Sequence, residues 1–289
     1  MRVLITGGSG QLGQALQKLA PPSVELIVLD RYALDLSDPK ACEAAVHELK
    51  PVWVINAGAY TAVDRAESES ELVYAVNAKA PEALARALQR TGGFLLQLST
   101  DFVFDGAQGS PYQPHQPLIP LGVYGASKAA GEVQAASALD PDRLCILRTS
   151  WVYGPVGRNF LLTMLRLHQE RETLGVVADQ VGCPTSTHGL AQACWSVLEQ
   201  SLVGRHHWSD AGVASWYDFA VAIGELAMQC ELLQTPALVR PLTTADYPTS
   251  ARRPSYSLLD CTATRSALGL SGIHWRQALY GVLEQLRQI

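Results

Sequence analysis

A chain of 289 residues with 48% hydrophobic side chains carries enough apolar material for one large domain, or for a domain with a smaller lobe. Its formal net charge of -5, with no block of lysine or arginine, argues against a nucleic-acid or anionic-membrane partner and leaves an anionic small molecule open through local arginines. The six cysteines, Cys42, Cys145, Cys183, Cys194, Cys230 and Cys261, are too dispersed for a zinc site or a disulfide framework, and no stretch approaches a membrane span, so reduced thiols and a cytoplasmic setting are expected.

In chain order, short uninterrupted apolar runs at Val3 to Ile5, Leu26 to Leu29, Val52 to Ile55, Phe94 to Leu98 and Leu144 to Leu147 predict strands buried on both faces. Helical patterns alternate with them. Gln11 to Leu19 and Cys42 to Leu49 read as helices, and Leu72, Val76, Ala80, Leu84 and Leu88 recur every four residues. Pro81 should bend or restart that helix, because proline removes a backbone donor. Strand and helix alternating over residues 1–150 predict an α/β fold, a Rossmann-type doubly wound parallel sheet. Residues 151–289 read as a smaller C-terminal substrate-binding lobe. Its expected helices are Asn159 to Glu170, Thr187 to Gln200, Trp216 to Cys230 and Trp275 to Arg287, with part of 187–203 returning to the core. Asp179 to Thr185 and Thr243 to Pro254 look like loops.

The first strand runs into Thr6-Gly-Gly-Ser-Gly-Gln-Leu-Gly13. Gly7, Gly10 and Gly13 at a strand-to-helix turn allow close approach of a pyrophosphate to a helix N-terminus, as NAD, NADP or FAD would need. Asp30 closes the second strand, where a carboxylate can bond the adenosine ribose of NAD, and Arg31 next to it suits the extra phosphate of NADP. Use of either NADPH or NADH is the resulting expectation. Further on, Tyr124-Gly-Ala-Ser-Lys128 follows Leu98-Ser-Thr-Asp101. On a helix Tyr124 and Lys128 lie about 40° apart on one face, so a phenol and an ammonium share one pocket, and the cation should make the phenol a better proton donor. A surface helix with a half-buried tyrosine would carry the same pair, so its neighbours decide between the two readings.

With these elements the chain resembles the extended short-chain dehydrogenase/reductases, and within them those that reduce a 4-keto-6-deoxy sugar carried on dTDP. Segments that carry the resemblance include Asn56-Ala-Gly-Ala-Tyr-Thr-Ala-Val-Asp-Arg-Ala-Glu67, Ser99-Thr-Asp-Phe-Val-Phe-Asp-Gly106, Arg148-Thr-Ser-Trp-Val-Tyr153, Asn159-Phe160, Pro184-Thr185, Tyr247-Pro-Thr249 and Arg253-Pro254. The resemblance implies Thr100 as the hydroxyl that polarises the ketone, Tyr124 as proton donor and Lys128 as the residue holding the nicotinamide ribose. Ser99 stands in for Thr100 if the strand register is off by one. It also assigns Gln11 and Leu12 to the phosphate loop, Asp35 and Leu36 to the adenine side, and Ala57, Gly58 and Ala59 to the nicotinamide approach. Asp101 and Trp151 would line the sugar, with Arg253 and Asn159 at the sugar-nucleotide pyrophosphate. Gly58, Tyr60, Val181, Cys183 and Tyr256 depart from the residues usual at those places. No carboxylate cluster with a metal-ligand pattern is present, so magnesium and a homodimer rest on the resemblance alone. Two other readings stay open: a reductase or NAD-retaining epimerase of another deoxy sugar nucleotide, and a regulatory subunit like the β subunit of methionine adenosyltransferase.

Overall fold

A computed structural model describes residues 1–288. Five strands follow the apolar runs: β1 (Arg2–Thr6), β2 (Glu25–Leu29), β3 (Trp53–Asn56), β4 (Phe94–Thr100) and β5 (Leu144–Thr149). A sixth, β6 (Gly204–His207), pairs with β5. All pairings in this sheet are parallel, and the order is β6-β5-β4-β3-β1-β2. Because β1 lies between β2 and β3, the winding reverses beside it, which opens a crevice at the carboxyl ends of β1 and β3.

Alternation along each strand feeds two separate cores. Val3, Ile5, Ile55, Leu96 and Leu147 face α1 (Gln11–Lys18) and, from the far half of the chain, the helix Thr187–Glu199. The Trp195 indole donates to the Leu16 carbonyl and fastens those two helices together. Leu4, Val54, Leu95 and Ile146 face α2 (Pro39–Leu49), α3 (Ala80–Thr91) and α4 (Val123–Ala138). A third core, built on Tyr153, Leu161, Phe219, Ile223, Trp275, Leu279 and Leu283, belongs to residues 151–288. Around it lie Phe160–Glu170, Trp216–Gln229 and Trp275–Arg287, together with the parallel strand pair Thr173–Val177 and Leu238–Leu242. The segments expected to be loops hold short strands, Val181–Gly182 and Thr185–Ser186, and a single turn at Thr244–Asp246.

The helix restarts at Pro81, as its missing donor predicts. Ser70–Tyr74 passes into a π-helical stretch, Ala75–Lys79, and then into α3, with Pro81 in the first turn of the latter. The widened turn accommodates the missing donor. Gly131 of α4 sits against the Asn77 carbonyl so closely that a Cβ there would lie 2.1 Å from the oxygen. No helix among the described residues is long and apolar enough to cross a membrane.

Candidate active site

The crevice at the sheet's switch point is a cleft of about 650 Å³. Gly7 forms its floor with a φ of +67°, and a Cβ there would lie 2.6 Å from the Gly58 Cα, so the turns after β1 and β3 touch backbone to backbone. A Cβ on Gly13 would lie 2.3 Å from the Gly7 carbonyl oxygen, so Gly13 serves packing and stays out of the cleft wall. Gly10 precedes α1 and offers no side-chain cap, which leaves the helix's first N–H groups available to an anion.

Gly7, Gly10, Gln11 and Leu12, in the turn after β1 and the start of α1, line the cleft; so do Arg31, Asp35 and Leu36 after β2, and Ala57, Gly58 and Ala59 after β3. Asp30 is not among them. Its Oδ1 accepts the backbone N–H groups of Tyr32 and Ala33 at 2.9 and 3.0 Å, which holds the turn that presents Arg31. Asp35 likewise binds the Ser37 N–H and hydroxyl, and these bonds keep its carboxyl below the usual range.

At the inner end, Leu98, Ser99, Tyr124, Lys128 and Thr149 meet. Tyr124 is half-buried at the start of α4, edge-on to Phe102. Burial pushes its phenol up to about 12, with the Thr100 hydroxyl acting downward and Asp101 acting upward. Burial is the largest influence on that phenol, ahead of the charges around it. Lys128 Nζ donates to the Leu98 carbonyl at 2.7 Å, and burial brings its own pKa down to about 8 against the pull of Glu132. At neutral pH the phenol therefore keeps the proton that a reduction needs. Thr100 accepts the Phe102 N–H and donates to Asp101 Oδ1 at 3.0 Å. Asp101 is buried, its carboxyl is raised to about 6 by that burial, and its Oδ2 has no partner.

The residues assigned to the sugar nucleotide stand apart from the cleft wall. Trp151 adopts a φ of +46° and stacks on Trp216 with ring centroids 3.7 Å apart. Asn159 caps the helix Phe160–Glu170, and its amide donates to Gln11 Oε1 at 2.7 Å, so it ties the second lobe to the phosphate loop. Arg253 forms a bidentate pair with Asp64 at 3.1 and 2.8 Å. Sequence reasoning passed over other members of the wall, namely Thr61, Arg65, Glu69 and Arg158. Glu69 binds both Tyr60 and Arg65, and only the spacing of Arg65 and Glu69, four residues apart, hinted at such a cluster. Among the described residues no group of three or more His, Cys, Asp or Glu side chains could hold a metal ion.

The chain matches the family model described as RmlD substrate binding domain over residues 1–288. It is 42% identical over 289 residues to a dTDP-4-dehydrorhamnose reductase of Aggregatibacter actinomycetemcomitans, covering 97% of this chain and 98% of the relative. A crystal structure of a dTDP-4-dehydrorhamnose reductase from Clostridium acetobutylicum superposes with a TM-score of 0.93 at 37% identity, over 100% of both chains. A second, from Bacillus anthracis and in complex with NADP, gives 0.92 at 36% identity over 98% of this chain and 99% of that one. A reversal-point cleft with a glycine floor, a phenol at its inner end and a family match along the whole described length lead to one statement: the chain belongs to the RmlD substrate-binding-domain family.

Proposed function

We propose that this protein reduces the 4-keto group of dTDP-4-dehydrorhamnose to give dTDP-L-rhamnose, using NADPH or NADH. The observation that carries the reading is the protonated Tyr124 phenol lining the glycine-floored cleft, with Lys128 one helical turn away and the Thr100 hydroxyl beside it. The curated reductase at 42% identity supports the substrate. The NADP complex of the B. anthracis relative supports the cofactor, as does Arg31 in the cleft wall.

When bound, the dihydronicotinamide supplies the hydride that forms the new C–H bond at the keto carbon. Tyr124 transfers its phenolic proton to the carbonyl oxygen as negative charge gathers there. Thr100, a neighbour of that phenol, helps to hold the oxygen. Lys128, buried and cationic, holds the ribose and, one helical turn from the phenol, stabilises the tyrosinate left after transfer. The α1 N-terminus and the Gly7 and Gly10 backbone hold the cofactor pyrophosphate. Arg253 leaves Asp64 to meet the pyrophosphate of the sugar nucleotide, a charge-assisted exchange of one anion for another. Residues 1–150 act as the dinucleotide-binding unit and 151–289 mainly as the substrate-binding lobe.

The test is a coupled assay in which a dehydratase and an epimerase generate the keto sugar, with loss of nicotinamide absorbance followed and the product identified by NMR. Net oxidation of NADPH or NADH with dTDP-L-rhamnose as product is expected. An isomerised sugar with no net oxidation would instead mark an NAD-retaining epimerase. No turnover, with co-purification of a larger enzyme, would mark a regulatory subunit.

A further inference from the structure

Behind the cleft lies a charged cluster that the chemistry above does not use. Tyr124, Lys128 and Glu132 follow one another at four-residue intervals along α4, so they form a single stripe on one helix face. Glu132 and Arg148 are both almost wholly buried, with side-chain exposures of 3% and 1%. The carboxylate receives Arg148 Nε on Oε1 at 2.8 Å and Arg148 Nη2 on Oε2 at 2.6 Å, a two-pronged pairing. The remaining guanidinium nitrogen donates to the Pro114 carbonyl at 2.9 Å and faces His207 Nε2 at 3.2 Å. Glu132 Oε1 also accepts the Ser99 hydroxyl. In the β4–β5 register Ser99 lies opposite Arg148 and Thr100 opposite Thr149. One carboxylate thus grips the ends of two neighbouring strands, and its own helix carries the phenol and the amine.

We propose that Glu132 is a positioning residue for the ketone reduction: through Ser99 and Arg148 it sets the end of β4 against α4, so that the Thr100 hydroxyl and the Tyr124 phenol converge on one substrate oxygen. The inference rests on the reductase reading. The geometry also explains why Ser99, although in the cleft wall, is not the hydroxyl that polarises the ketone: its proton is given to Glu132. A displacement of about 1 Å between acting groups can cost about a hundredfold in rate, so a clamp at this point governs turnover far more than cofactor affinity, most of which comes from the rest of the cleft.

The experiment compares Ser99→Ala, Glu132→Gln and the double variant in the full-length enzyme. Ser99→Ala keeps the buried ion pair and therefore the fold, while Glu132→Gln leaves Arg148 unpaired. Both single variants should lower kcat about tenfold or more with little change in KM or in NADPH affinity, and the double variant should be no slower than the slower single one. Amide exchange in the NADP-bound protein supplies a readout that needs no turnover. The Thr100 to Phe102 amides should exchange about tenfold faster in both variants, with the Thr187–Glu199 helix unaffected. Lowered thermal stability with kcat and local exchange unchanged would overturn the inference, as would additive losses in the double variant. A wild type that leaves the keto sugar untouched would remove the reductase reading alone, and the exchange data would still decide the clamp.

Discussion

Tyr124 should reveal itself by the way its loss divides between binding and turnover. Tyr124→Phe removes a hydroxyl that acts on the transition state, so kcat should fall by about 10²-fold or more while NADPH affinity, measured by fluorescence quenching, stays within about threefold. Equal losses in both would make the ring a packing element. Asp210 yields a prediction of a different kind. It is buried, accepts the Ser186 N–H at 2.9 Å, and burial raises its carboxyl to about 7. The fold favours the protonated form, so the contribution of Asp210 to stability is complete below its ordinary value of 3.8 and is lost as pH rises through about 7. Asp210→Asn should raise Tm at about pH 8, where a few kcal/mol of desolvation are relieved, and change it little at about pH 4. A constant difference between the two pH values would mean that the carboxyl is not the titrating group. Arg253 gives a third. Asp64→Asn frees the guanidinium from its two-pronged partner, so KM for the sugar nucleotide should fall, whereas Arg253→Ala should raise it about tenfold. Tyr124, Lys128, Gly7 and Gly10 were legible as chemistry in the sequence because spacing alone brings them together. Glu132 was not, since its role depends on Arg148 and Ser99 arriving from two other elements.

Around Pro81 the sequence announced that the helix would be interrupted but not the π-helical form the interruption takes. Leu84 and Leu88 are fully buried as their four-residue spacing predicts, while Leu72, ahead of the widened turn, is rotated out to 37% exposure and joins the cleft wall. The extra residue also aims Asn77 inward, where its amide spans the Tyr60 backbone, accepting its N–H at 2.9 Å and donating to its carbonyl at 3.0 Å. Gly131 gives α4 the clearance to lie against this turn. Gly131→Ala should therefore push the helix bearing Tyr124 outward, costing about 1–3 kcal/mol by urea unfolding and lowering kcat more than cofactor affinity. A neutral effect on both would mean that the close approach relaxes freely. Strand β6 escaped the sequence reading because Gly204, Arg205, His206 and His207 carry no apolar run. It adds an edge to an existing sheet, and pairing with β5 supplies what its own side chains do not. The parallel pair Thr173–Val177 and Leu238–Leu242 was missed for a related reason: its partners are distant in sequence and Pro241 interrupts the second.

Across the whole molecule, the first five strands and the alternation that buries them were readable because a doubly wound sheet writes its pattern locally. Thr187–Glu199 packs on α1 through partners that only the tertiary structure brings together, and the bonds that join the lobes likewise follow from tertiary contacts. Asn159 to Gln11 and Arg253 to Asp64 are two such bonds, and both touch segments that border the cleft. Closure on a sugar nucleotide would have to rearrange the second while the first holds. The stacked pair of Trp151 and Trp216 packs against the core of the second lobe. Two indoles face to face at 3.7 Å, one of them on a left-handed backbone, form a coupled chromophore. The protein therefore carries a built-in optical gauge: if the rings slide apart when sugar nucleotide enters, the near-ultraviolet dichroism of the native chain will report it without any label.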